Sequence, residues 1–227
     1  MKKHIPNTIT CCNLISGCVA TYFAFTGMYD IALLFIVIGA VFDFFDGMTA
    51  RLLGVSSPIG KELDSLADDI TFGFAPSAML FTFLGSFHQH VFSFLPFVAF
   101  VMAAFSALRL AKFNLDERQA TSFIGLPTPA NALFWGALLV WVNEMPSVPD
   151  YYLYIALVLL PLSCYLLVAE LPLFALKFKH WGWKGNEVKY IFLLTSAAMI
   201  LGLGIVGLAA VIAWYVLLSA FTANRQS

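Results

Sequence analysis

Charge is what this sequence has least of. Of its 227 residues, 12 are Lys or Arg and 13 are Asp or Glu. That makes 11% charged, against roughly 25% in soluble chains. Hydrophobic residues reach 61%, where the globular norm is roughly 45–50%, and mean hydropathy is +0.87. So little polar surface cannot wrap a core of this size in water, which excludes a soluble single domain and leaves lipid as the solvent. The net charge of −1 averages over sharply segregated charges and gives no footprint for a nucleic-acid partner. Cysteine is sparse too. Cys11, Cys12, Cys18 and Cys164 form no C-x-x-C pair and have no nearby His at ligand spacing, so they read as small buried hydrophobes. Ile15-Ser16-Gly17-Cys18 has the outline of a lipoprotein cleavage box. The stretch from His4 to Asn13 is too polar for a signal-peptide core, however, so the first apolar segment is expected to stay in the mature protein. Internal repeats and low-complexity linkers are also lacking, and the chain reads as one domain over residues 1–227.

What is present is a series of apolar segments. A helix needs about 20 apolar residues to cross the hydrocarbon, fewer where the bundle is thin or a helix end is buried in protein. Eight cores can be placed: Cys11–Thr26, Ile31–Ala50, Leu66–Leu84, Phe92–Lys112, Thr128–Asn143, Tyr151–Ala169, Val188–Leu203 and Val206–Phe221. The last two share one run broken only by Gly202, Gly204 and Gly207, so seven spans is the alternative. If eight helices alternate, all twelve Lys and Arg fall on one side, while the opposite loops hold only Asp30, His88, His90, Glu144 and Asp150. Seven spans would strand only Arg225 outside. The basic side is cytoplasmic by the positive-inside rule. The expectation is an all-α integral membrane bundle of about eight transmembrane helices in the cell (inner) membrane, with both termini cytoplasmic. Lys177 to Gly185 is the expected mobile surface loop.

Ionisable groups near lipid are expensive and mark function by default. Asp43 and Asp46 lie three apart toward the cytoplasmic end of the second segment, and Asp64 and Asp68, four apart, open the third. Either spacing puts a pair on one helix face. The connection contains Gly54, Ser56, Ser57, Pro58 and Gly60, a tight turn that would set the two helices antiparallel and bring the pairs together. Four carboxylates in one cleft of low dielectric repel one another, and Arg51 alone cannot balance them. One or two Mg²⁺ or Mn²⁺ ions would, because hard divalent cations prefer carboxylate oxygen. Two such ions form the usual clamp for displacement at phosphorus. A structural charge network or a cation-transport site is the competing reading of the spacing alone.

The run Asp43-Phe-Phe-Asp46-Gly47-Met-Thr-Ala50-Arg51, eight residues, Gly60, three residues, Asp64, three residues, Asp68 matches D-x-x-D-G-x-x-A-R-x8-G-x3-D-x3-D at every fixed position. It resembles the CDP-alcohol phosphatidyltransferases. Four further segments are similar to the bacterial integral-membrane phosphatidylserine synthases within that family: Pro6 to Asn13, Asp64 to Pro76, Arg109 to Asn114, and Gly125 to Pro129. Similarity is dense from Pro6 to about Ala132, and the rest matches mainly in hydropathy.

The resemblance implies a metal-dependent transferase of phospholipid biosynthesis, with CDP-diacylglycerol and L-serine as substrates, phosphatidylserine and CMP as products, and a homodimer among membrane lipids. Glycerol phosphate, inositol and choline are the other acceptors the family uses. It also implies that Asp43, Asp46, Asp64 and Asp68 hold the divalent metal, as two Mg²⁺ or Mn²⁺ ions, with Asp68 serving in addition as general base. Gly47 and Ala50 would let the nucleotide approach the helix backbone, although small residues there also suit helix packing. Arg51 offers a planar fork to the CDP pyrophosphate, helped by Asn7, Thr10 and Ser57, the last of which is equally a turn residue before Pro58. For the serine carboxylate the candidate is Arg109, followed by Asn114 and Arg118. The alternative for Arg109 is snorkelling to anionic headgroups.

Overall fold

The computed structural model describes residues 4–55, 57–87, 93–115, 123–174, 182–183 and 185–223. Helix α1 (His4–Phe25) and helix α2 (Tyr29–Leu53) form the opening hairpin, joined through Gly27 at φ 77°. On α1 the buried face is Pro6, Thr10, Asn13, Gly17, Ala20 and Ala24, spaced by three and four, and on α2 it includes Ala32, Ile36 and Gly39. Small residues on facing stripes let the two backbones approach closely. Helix α1 begins seven residues before the expected core at Cys11, because Asn7 and Thr10 turn their polar side chains into a cleft rather than toward lipid. Cys164 is buried, but Cys11 and Cys18 are exposed, which corrects the reading of all four cysteines as buried hydrophobes. Both lie off the α1 stripe that packs.

Helix α3 (Pro58–Asp68) starts at a strong signal: Pro58 occupies the first turn and the Ser57 hydroxyl accepts from the Gly60 N–H at 3.0 Å. It continues through a π-turn (Asp69–Phe74) into α4 (Ala75–Gly85), making one rod. The π-turn has a local cause. Pro76 lacks an N–H and its ring collides with the carbonyl four residues back, so the turn before it widens, and the Ala75 N–H donates to the Ile70 carbonyl five residues earlier. A 3₁₀ turn (Leu95–Phe100) runs into α5 (Val101–Leu115). Then come α6 (Thr128–Asn143), α7 (Tyr151–Val168), α8 (Glu187–Leu203) and α9 (Val206–Ala223), giving eight helical rods among the described residues.

The C-terminal apolar run is two helices, not one. Gly204 takes φ 63° and breaks it. The antiparallel return is fixed by Trp214 Nε1, which donates to Thr195 Oγ1 at 3.0 Å. Two short strands, β1 (Phe123–Ile124) and β2 (Pro172–Leu173), pair antiparallel and clasp the segment before α6 to the end of α7. Gly125 at φ 75° follows β1, and the Leu126 N–H donates to the Leu166 carbonyl at 2.9 Å.

The packed centre holds Ile36, Phe72, Met79, Leu80, Trp135 and Leu139. The outer face is apolar as well: Val158, Leu194 and Leu201 point outward, the last 88% exposed. That arrangement suits a lipid surround. Among the described residues four rods, His4–Phe25, Tyr29–Leu53, Leu95–Leu115 and Tyr151–Val168, are long and apolar enough to cross a membrane, and Val206–Thr222 is a shorter apolar helix. The expected surface loop from Lys177 to Gly185 falls mostly outside the described residues.

Candidate active site

The end of α2 and the start of α3 build the site. Gly54 closes α2 in the left-handed region at φ 60°, its N–H donating to the carbonyls of Ala50 and Arg51, and the chain reverses into the Ser57 cap. This turn sets the two acidic helix faces against each other. One carboxylate oxygen each from Asp43, Asp64 and Asp68 lie within 4.8 Å of one another. Asp64 Oδ1 is buried and has no hydrogen-bond partner among the described residues. Three converging carboxylates, one with an orphaned oxygen, are a donor set that fits a hard divalent cation.

Asp46 stands outside that triangle. Its Oδ2 accepts from the Thr10 hydroxyl at 2.6 Å, and the residue is 6% exposed. One turn along α1, the Asn13 Nδ2 donates to Asp68 Oδ1 at 3.0 Å. A single face of α1 therefore supplies a donor to one aspartate of each pair. Sequence reasoning gave Asn13 no role, although a polar residue three positions after Thr10 in an apolar segment was a readable signal.

Beside the aspartates lies a cleft of about 270 Å³ whose walls include Asn7, Thr10, Asp46, Gly47, Ala50 and Ser57. Five of the six residues expected at the nucleotide, all but Arg51, thus surround one space that Asp46 also lines. Gly60 permits the close approach of α3, since a Cβ there would lie 3.0 Å from both Asn7 Oδ1 and Ser57 Oγ. Arg51 folds back along α2, its guanidinium 3.4 Å from where a Gly47 Cβ would be. Lys61 also lines the cleft, a cation sequence reasoning passed over.

The residues expected at the acceptor are placed less uniformly. Arg109 on α5 is half-buried, stacks over the Phe113 ring at 5.2 Å and lies within electrostatic reach of Asp68. Asn114 instead ties α5 to α3: its Nδ2 donates to Ser65 Oγ at 2.7 Å, and its carbonyl accepts from Lys61 Nζ at 2.8 Å. Arg118 lies outside the described residues.

Residues 3–169 match the family model for CDP-alcohol phosphatidyltransferase. The chain is similar to the CDP-diacylglycerol–serine O-phosphatidyltransferase of Bacillus subtilis, 39% identical over 131 residues that cover 56% of this chain and 70% of that protein. The Helicobacter pylori protein of the same name is 34% identical over 130 residues, covering 56% of this chain and 54% of its own length. The one from Saccharomyces cerevisiae is 38% identical over 144 residues, covering 56% and 50%.

Proposed function

The chain belongs to the CDP-alcohol phosphatidyltransferase family, and from that premise we propose that it transfers the phosphatidyl group of CDP-diacylglycerol to L-serine, giving phosphatidylserine and CMP. The observation that carries the reading is the convergence of Asp43, Asp64 and Asp68 beside a cleft walled by Asp46, Gly47, Ala50 and Gly60 of the same signature.

The serine hydroxyl attacks the phosphorus bearing the diacylglyceryl group, the bond from that phosphorus to the CMP oxygen breaks, and the hydroxyl proton passes to Asp68. Asp43, Asp46, Asp64 and Asp68 would hold two Mg²⁺ or Mn²⁺ ions, which when bound neutralise the carboxylates and the developing phosphate charge. Arg51 grips phosphate oxygens from the rim of the cleft. Asn7, Thr10 and Ser57 hydrogen-bond the nucleotide, and Gly47 and Ala50 leave it room against α2. Arg109 pairs with the serine carboxylate, which sets the acceptor beside Asp68.

All eight rods are read as spans, with both termini and the site on the cytoplasmic side. In support, the ends of α2 and α5 and the start of α3 carry Arg51, Lys61, Arg109 and Lys112, all basic and all at the site's end of the bundle. The acyl chains of the donor then remain in the bilayer while its nucleotide enters the cleft.

The test is CMP release by detergent-purified protein given CDP-diacylglycerol, Mn²⁺ and each acceptor alcohol in turn. Release is expected with L-serine. Release with another alcohol and none with serine would overturn the assignment.

A further inference from the structure

We propose that Asn13 is a positioning residue for the transfer step: its side-chain amide holds Oδ1 of Asp68 and so aims the other carboxylate oxygen at the acceptor hydroxyl. The inference rests on the reading of Asp68 as the base. Asn13 is 0% exposed, and its Nδ2 meets Asp68 Oδ1 at 3.0 Å. The amide can face the carboxylate only through its nitrogen, because two oxygens in contact would repel. Turned this way, Asn13 Oδ1 is buried without a hydrogen-bond partner among the described residues. A residue kept for packing alone would not strand a carbonyl in the core. The stranded oxygen is the cost of presenting the nitrogen to Asp68.

The backbone of Asn13 is fixed as tightly as its amide. Thr71 Oγ1 donates to the Asn13 carbonyl at 3.0 Å. Thr71 lies in the π-turn three residues after Asp68, so the same short segment bears the aspartate and grips the helix that orients it. Two glycines make room for this crossing. A Cβ at Gly39 would come 2.5 Å from Thr71 Cγ2 and 2.9 Å from Asn13 Oδ1, and one at Gly17 would collide with Thr71 Oγ1. Thr10, by contrast, lines the cleft itself, whereas Asn13 does not. Asn13 reaches the chemistry through Asp68.

The experiment compares wild type, Asn13→Ala and Asn13→Leu in the serine-dependent CMP release assay, with CDP-diacylglycerol binding measured separately in the absence of serine and thermal midpoints taken in detergent. Ser16→Ala is the packing control on the same helix. The expected result is a kcat lowered on the order of tenfold to a hundredfold, as for loss of a hydrogen bond to a charged group, with CDP-diacylglycerol affinity within about twofold of wild type. Ser16→Ala should keep its kcat. A kcat within about twofold of wild type in either Asn13 variant overturns the proposal, as does a loss of donor binding that matches the loss of rate. Should Asn13→Ala fail to fold, Asn13→Leu, which fills the same space, decides on the same criteria. If the wild-type protein uses a different acceptor, the assignment of serine falls while the comparison is read with that acceptor. Absence of CMP release by wild type with every acceptor overturns both.

Discussion

Asp43, Asp46, Asp64 and Asp68 share a motif but not an environment. Asp46 is satisfied by a threonine hydroxyl and Asp68 by an asparagine amide, whereas a buried oxygen of Asp64 has no donor among the described residues. Each of Asp43→Asn, Asp46→Asn, Asp64→Asn and Asp68→Asn is expected to abolish transfer, since a neutral amide cannot replace a carboxylate toward a divalent cation. A chelator should do the same, reversed on adding Mn²⁺. Full CMP release in excess chelator would refute the metal reading. The two arginines should separate by substrate. Arg51→Lys keeps charge but loses the planar fork, so it should weaken use of CDP-diacylglycerol. Arg109→Lys should instead raise the serine KM by roughly tenfold to a hundredfold, the worth of a lost contact to a charged group of about 1.5–3 kcal/mol. A two-substrate kinetic matrix for both variants checks this, and a serine KM within about twofold of wild type in Arg109→Lys would place the acceptor elsewhere.

Between elements, the crossing of α1, α2 and the π-turn is the tightest part of the site. Gly39 touches both Thr71 and Asn13 across it, so Gly39→Ala must push α2 away from α1. Overpacking of a close-packed core costs typically 1–3 kcal/mol. The variant should therefore lower the thermal midpoint in detergent and slow CMP release together, and unchanged values for both would show that the crossing relaxes freely. Asn114 makes a different point about elements. It was expected at the acceptor, and its side chain is engaged in bonding α5 to α3 through Ser65. Asn114→Ala should accordingly loosen the approach of Arg109, and with it the serine KM, more than it changes binding of the nucleotide. The same kinetic matrix reads that difference.

For the molecule as a whole, the testable quantity is topology. Under the proposed topology, eight rods alternating across the bilayer would put both ends on the side of the site, and the connection between α6 and α7 opposite. Reporter fusions at Ser227 should report the cytoplasm, and a cysteine introduced between Asn143 and Asp150 should label from outside. A C-terminus labelled from outside would mean an odd number of crossings. The break at Gly204 and the Trp214 to Thr195 bond give the last two helices the antiparallel form that an even number needs.

The membrane class, the apolar segments and the acidic motif were legible in the sequence because each is a local property: composition, run length, and the three- and four-residue spacings that put side chains on one helix face. The approach of the two acidic helix faces was legible for the same reason, since Gly54, Ser57 and Pro58 are turn and cap residues that dictate a reversal where they stand, but not that Asp46 would stand outside the triangle of Asp43, Asp64 and Asp68. The tertiary structure alone decided which donor meets which aspartate. Thr10 to Asp46 spans 36 positions in the chain and Asn13 to Asp68 spans 55, and no local preference specifies contacts at that separation. It decided too that Cys11 and Cys18 face outward, because their side of α1 depends on where α2 and the π-turn pack. The division follows the range of the forces: backbone propensity acts within a turn of helix, whereas the choice of partner is made by close packing between helices brought together from distant parts of the chain.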